Sequence, residues 1–540
     1  MFKPNNNHNQ QTLSDSTQWM DKRIREKLEK SWAPIFYEHV FSKIDEEPFA
    51  VLYGTTGKPN FPVNILLSLE YIKHMKDSSD LELLDSFYFD YLVNYAVGIK
   101  TLGEMNLAER TLYYFRERVY RYCLENPEQE RLLFDQFINL LHHFAQLAGI
   151  SLEEQRTDTT YFMSNIKKAG RISLAYDVLT KAVKAIPESQ RTDALIKVLE
   201  PNFKTDVLYR AKAQEADSKL ALLLNLCQEA LSVLEKQRPG SDEVRLVRRF
   251  LDEQATTNEE SGKWVPKPKQ EISSTSLQSA YDEDATYRKK GNVGHSGYTL
   301  ELSETCDKNN PFQLITDYDV NPNNISDVEI LEGRLETIKE NTGCTDMYVD
   351  GGFHSEGVHQ TAKEKEIEIH LTNMSGTEPT KKLPVSEFDI DETTNVINKC
   401  PGGYIPTRAG VRKGQTSAHF PHEACDNCEY NNQCYSKKQS KDCVVRITLK
   451  AVNVSRERDK MKANRKENTS KRAAIEGTNS ALKRTGLDKL DVRGKAKSTV
   501  VCGLKVTAQN IKRVIKCLQG GYKPKNSKIP SDGIPVPVFS

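Results

Sequence analysis

A chain of 540 residues, 37% hydrophobic and 28% charged with a formal net charge of +1, has room for two to four domains with sizeable cores. No apolar run approaches the roughly 20 residues of a membrane-crossing helix, and the polar opening MFKPNNNHNQQTLSDS lacks the apolar centre of a secretory signal. A cytoplasmic protein with no membrane partner is expected, its eleven cysteines serving as thiols or metal ligands rather than disulfides.

In chain order, residues 1–15 read as a disordered tail, and helical periodicity then fills 16–148. Trp19, Ile24, Leu28, Trp32 and Ile35 recur in steps near three or four. Ser79 with Glu82, and Asn106 with Glu109, have the spacing of capping boxes. The helix expected after Asn106 carries Arg110, Tyr113, Arg116, Arg118 and Arg121, and with its predecessor has the layout of a helix-turn-helix. Arg116 and Arg121 are accordingly candidate DNA contacts. A bundle helix with a basic outer face fits the same pattern.

The character changes at 149–165, where GISLEEQRTDTTYF contains a short β-like segment ending near Asp158. A helical block follows at 166–255, then a polar, Pro-containing linker at 256–275. The β-like stretches SGYTLELSE, FQLITDYDV, CTDMYVDGG and EIEIHLTN fall within 276–399. Residues 400–445 are cysteine-rich, 446–520 form a basic segment, and 521–540 read as a Pro/Gly-rich tail. Between Arg446 and Lys525, 22 Lys or Arg stand against 6 Asp or Glu, a difference of +16. A local excess of this size points to a polyanion, nucleic acid above all.

Three carboxylates fit one chemistry. Asp350 stands where the apolar MYV runs into DGGFHSE, an open backbone that a ligand can approach. Asp158 closes its own β-like segment. Glu476 lies in KRAAIEGTNSALKRTG, 471–486; wound as one helix at about 100° per residue, this stretch gathers Arg472, Glu476 and Lys483 on one side and Ile475 with Leu482 on another. Carboxylates from distant positions can hold two divalent cations that clamp the attacking and leaving oxygens of a phosphoryl displacement, and Mg²⁺ favours such oxygen ligands. Singly, each reads as a turn, cap or surface ion pair.

These segments resemble the DDE transposases of bacterial insertion sequences. Arg472-x3-Glu476-x6-Lys483 matches the R-E-K part of their Y-R-E-K signature, with Thr469 where the Tyr would stand. YVDGGFHSE is similar to the segment of the second Asp. RTDTTYFMSNI is similar to that of the first, with Thr159 in place of a Gly. GKPNFPVNILLSLEYI through RTLYYFRER resembles the InsH-like helical domain that precedes such cores. The resemblance implies an α/β (mixed) fold: an RNase H-like core with a mixed five-stranded sheet, an all-α N-terminal DNA-binding domain and a helical insertion at 166–255. Asp158 would lie on the first strand, SGYTLELSE and FQLITDYDV would be the second and third, and Asp350 would lie on the fourth. It further implies a catalytic Asp158–Asp350–Glu476 triad binding Mg²⁺ or Mn²⁺, with Arg472, Lys483 and Arg484 on DNA. The partners would be terminal inverted repeats and target DNA, held by a homodimer associated with the nucleoid. A catalytically inactive descendant that still binds DNA, or an RNase H-like nuclease or resolvase, are the alternatives.

Cys400, Cys425, Cys428 and Cys434 are spaced C-x24-C-x2-C-x5-C. The short C-x2-C puts two thiolates on one metal, and the other two complete a tetrahedral structural Zn²⁺ site. An iron–sulfur cluster or reduced thiols suit the same residues. His419, His422 and Cys443 stand nearby as further ligands.

Overall fold

A computed structural model describes residues 1–6, 16–126, 131–167, 169–209, 213–258, 262–374 and 381–520. Most of the N-terminal tail (7–15) and the whole of 521–540 lie outside the described residues. The fold is mixed α/β and divides into two compact units, one of Met1–Cys344 with Ile475–Ser540 and one of Thr345–Ala474.

The first unit opens on helices. Residues 1–6, expected as part of a tail, are tied down: the Lys3 N–H donates to Asn60 Oδ1 (2.7 Å) and the Asn5 N–H to Glu46 Oε2 (2.6 Å). Four longer helices follow, α1 (Val63–Lys76), α2 (Asp80–Phe89), α3 (Glu109–Glu125) and α4 (Leu132–Ala148). The Ser79–Glu82 capping box forms in full. Asn106 does not cap its helix, because the chain turns in at Ala108 instead.

Strand β1 (Glu154–Phe162) comes next, followed by the helical block α5 (Arg171–Ala185), α6 (Ala216–Gln237) and α7 (Asp242–Gln254). That block has a core of its own, with Leu179, Leu224, Leu234, Val247 and Phe250 buried together. The expected linker contains two short antiparallel strands, Ala255–Thr257 and Trp264–Pro266. Strands β2 (Val293–Thr305) and β3 (Ile315–Pro322) continue the unit, and α8 (Asp327–Thr342) closes this part of the chain. β2 runs antiparallel to both β1 and β3, with Asp158 opposite Leu302 and Glu301 opposite Asp319.

The second unit begins with β4 (Asp346–Val349), α9 (Glu356–Glu364) and β5 (Glu368–Leu371), a βαβ unit whose strands pair in parallel. Next comes a four-stranded antiparallel sheet of β6 (Arg408–Arg412), β7 (Gln415–Phe420), β8 (Ser436–Lys438) and β9 (Cys443–Thr448), ordered β6-β7-β9-β8. Its small core is Phe388, Ile397, Phe420, Val445 and Ile447. The unit ends with α10 (Leu449–Ala473).

The chain then returns to the first unit through α11 (Ile475–Leu482) and α12 (Lys495–Gln519). α12 is a central helix, burying Val500, Leu504, Val506, Ile511 and Val514. It packs on α1, α4 and β3. One hydrophobic core therefore joins the N-terminal helices (Phe36, Leu66, Phe137), the strands (Tyr298, Leu300, Leu302) and α12. Among the described residues, no helix is long and apolar enough to cross a membrane.

Candidate functional site

Asp158 sits in the middle of β1, not at its end. The Thr159, Thr160, Tyr161 and Phe162 that follow are β-formers and keep pairing with β2 as far as Tyr298. Side chains alternate along a strand, so Asp158 shares a face with Arg156, and both face the helix α11. The Arg156 Nε donates to the buried Glu304 Oε1 (2.9 Å), while the Thr478 hydroxyl donates to Glu304 Oε2 (2.7 Å). Arg513 of α12 adds a bond from Nη1 to the same oxygen (3.1 Å). One residue further along α11, Asn479 Nδ2 donates to Asp158 Oδ2 (3.3 Å).

This docking fixes which side of α11 is outward. Ile475 and Leu482 are buried, whereas Glu476 is exposed in the first turn. Residues three apart are neighbours on a helix surface, so Glu476 is one turn before Asn479, the residue that bonds Asp158. The single continuous helix of 471–486 is not formed. α10 ends at Ala473, Ala474 interrupts it, and the helix loses regular geometry again at Thr485 and Gly486. Arg472 thus belongs to the second unit and Glu476 to the first.

In the second unit, Asp350 directly follows β4, where the MYV-to-DGG transition places it. Its Oδ1 accepts from the Gly352 N–H (2.8 Å), and its Oδ2 is 3.5 Å from Arg472 Nη2. The turn is tight at Gly351, where a Cβ would stand 2.8 Å from the backbone oxygen of Asn373. Asn373 Oδ1 also accepts from the Gly351 N–H. Beside Arg472, the buried Lys471 donates to the Tyr348 hydroxyl (2.8 Å), and the Tyr348 ring stacks on His370 with centroids 4.5 Å apart. These contacts hold the last turn of α10 against β4 and so present Arg472 to Asp350.

The other sequence-selected cations divide by exposure. Arg484 and Arg121 are exposed, and Lys483 pairs with Asp488 (3.4 Å). Arg116 is committed internally: its Nε bonds Glu70 Oε1 (2.8 Å), and its two terminal nitrogens take both oxygens of Asp80 (2.8 and 2.7 Å). Burial alone would raise the Asp80 carboxyl, but Arg116 and Lys73 outweigh it and hold Asp80 well below the usual carboxylate range. Arg116 is a half-buried link between α1, α2 and α3 with its donors committed to carboxylates, and it drops out of the set available to DNA. Its partners lie 36 and 46 residues away, beyond the reach of periodicity.

Cys400, Cys425, Cys428 and Cys434 line one small pocket with Gly402, Tyr404, Phe420 and Val445. Ser436 Oγ donates to Cys425 Sγ (3.7 Å), and the backbone amides of Tyr435 and Ser436 bond the Cys434 sulfur. Burial first, then the neighbouring Cys443 and Cys434, push the Cys425 thiol up to about 11 against the Ser436 bond. His419 is engaged by Asp442 (2.7 Å), and His422 Nδ1 lies 3.5 Å from Cys443 Sγ. Among the described residues, the groups of three or more His, Cys, Asp or Glu whose ligating atoms all fall within 4.8 Å are His354–His359–Glu457 and Asp346–Glu368–His370. Sequence reading missed both; the H-x4-H spacing of His354 and His359 was the available signal.

No curated protein and no solved structure matches the chain. Residues 399–515 match the family described as transposase DDE domain. The matched stretch begins after Asp158 and Asp350 and contains the cysteine pocket, Arg472, α11 with Glu476, and most of α12. The match supports a DDE transposase, a class that usually uses divalent metals and has DNA as its partner.

Proposed function

We propose that this protein is the transposase of an insertion sequence, acting on terminal inverted repeats through Asp158, Asp350 and Glu476 in an RNase H-like core. The observation that carries the reading is the family match over the segment that holds Glu476. It is joined by the docking of that helix on the strand of Asp158 through Asn479. The three carboxylates are a hard, all-oxygen donor set that fits Mg²⁺ or Mn²⁺. Such ions, when bound, supply Lewis-acid stabilisation of the oxygens that exchange at phosphorus.

The chain's own residues do the rest. Glu304, held by Arg156, Arg513 and Thr478, fixes the roll of α11 and hence the direction of Glu476. Asn479 orients the Asp158 carboxylate from the side. Arg472 balances the Asp350 charge before DNA arrives and then serves a backbone phosphate, while Arg484, Lys483 and Arg121 add sequence-independent phosphate contacts. Cleavage and strand transfer are the same displacement with different nucleophiles, water first and the freed 3′-hydroxyl second. Two ends must be held at once, so a homodimer on DNA is the working assembly. The cysteine pocket would hold a structural Zn²⁺ in the segment between Asp350 and Glu476.

The test is a Mg²⁺-dependent cleavage assay on duplexes carrying the ends of the element, comparing the natural chain with Glu476→Gln. Loss of cleavage with DNA binding retained supports the reading. Equal cleavage by both proteins overturns it, and binding without cleavage by either favours an inactive DNA-binding descendant.

A further inference from the structure

We propose that His354, His359 and Glu457 form a second metal site, separate from the cysteine pocket, for one divalent transition-metal ion of the zinc class. One ligating atom from each side chain falls within 4.8 Å of the other two. Glu457, on α10, divides its carboxylate between the imidazoles: Oε2 is 2.8 Å from His354 Nε2, and Oε1 is 3.6 Å from His359 Nδ1. The rings meet edge to face with centroids 5.4 Å apart.

A plain His–Glu hydrogen bond accounts for only part of this. It explains His354, but a 3.6 Å contact is too long to be a second hydrogen bond. It leaves His359 Nδ1 facing the carboxylate at 3.6 Å, without a hydrogen bond to it. A bound ion gives the cluster a common centre and uses imidazole nitrogen as a ligand.

The donor set chooses the metal. Two imidazoles and one carboxylate suit zinc and its first-row neighbours, whereas Mg²⁺ prefers oxygen alone. Three protein ligands also leave a fourth position open. The cluster borders a cavity of about 870 Å³, shared with Lys363, Lys450 and Lys460, where water or a small anion can complete the shell.

The consequence is local and mechanical. His354 closes the short turn Gly351–Phe353 that Asp350 opens, and His359 lies in the first turn of α9. An ion shared with Glu457 would clamp that turn and α9 onto α10 within the second unit. The site shares no ligand with the carboxylates proposed for catalysis.

The experiment uses the full chain, stripped with a chelator and titrated with Zn²⁺ in the presence of millimolar Mg²⁺ to saturate carboxylate-only sites. His359→Ala and Glu457→Gln are each expected to lose one equivalent of bound zinc. Co²⁺ substitution gives a second readout: both variants should lose the d–d absorption contributed by the nitrogen–oxygen site, while any thiolate-to-cobalt charge-transfer band is unchanged. A zinc count that neither substitution lowers overturns the proposal. So does a loss confined to the thiolate band, which would assign the ion to the cysteines.

Discussion

Arg472 Nη2 lies 3.5 Å from Asp350 Oδ2, with the arginine side chain 17% exposed and the carboxylate 34%. A carboxylate proposed to ligate a metal thus already has a cation beside it. Arg472→Ala is expected to leave the fold intact and to lower end cleavage about 10²-fold, the scale for loss of one well-placed cationic or donor group. The slope of DNA affinity against salt should fall by about one phosphate contact. Natural cleavage rates in Arg472→Ala would remove the residue from the mechanism.

Arg116 predicts the opposite phenotype. Its removal leaves Glu70, only 3% exposed at the side chain, as a buried charge without its partner, an effect of about 3–5 kcal/mol. Arg116→Ala should therefore lower the denaturation midpoint strongly, whereas Arg121→Ala should weaken DNA binding at unchanged stability. Because Asp80 is held below its ordinary value, its contribution is present above the unfolded carboxylate pKa and lost as pH falls through the folded one. Acid unfolding should begin at higher pH in Arg116→Ala.

Glu301 gives the reverse sign. Burial first, then Asp317 and Asp319, push its carboxyl up to about 8. The folded protein holds this proton more tightly than the unfolded chain. The associated stability is fully present below the unfolded pKa and is lost as pH rises through about 8. Glu301→Gln should flatten the decline in melting temperature between pH 5 and pH 8, roughly the interval from the ordinary glutamate value upward. An unchanged slope would place the titration elsewhere.

Removal of metal tests the cysteine pocket. If the four thiols hold Zn²⁺, a strong chelator should release thiols reactive toward a disulfide reagent and lower the melting temperature of the second unit. Cys428→Ser should do both without chelator. Thiol counts that are the same before and after chelation would leave the pocket as reduced cysteines.

What could be read from sequence was mostly local. The MYV-to-DGG transition places Asp350 at a strand end because an apolar run and a glycine pair act within a few residues, and the Ser79–Glu82 box is equally short-ranged. The expectation that the strand ends near Asp158 fails because the β-forming Thr159 to Phe162 carry the pairing on to Tyr298. A wheel through 471–486 requires a continuous helix, which Ala474 and Gly486 interrupt. Periodicity offers Arg116 to DNA because Glu70 and Asp80 meet it only after α1, α2 and α3 assemble. The His354–His359–Glu457 cluster was out of reach for the same reason, since Glu457 joins it from about a hundred residues downstream.

Glu304 never meets solvent, yet it is grasped from three elements: β1 through Arg156, α11 through Thr478 and α12 through Arg513. It works as a keyed shaft. If α11 turned about its own axis, a fully buried carboxylate would lose one of its clasps, so the proposed ligand Glu476 is aimed by a side chain that takes no part in the proposed chemistry. Substitutions at Glu304 should therefore blunt catalysis as errors of angle rather than as missing ligands.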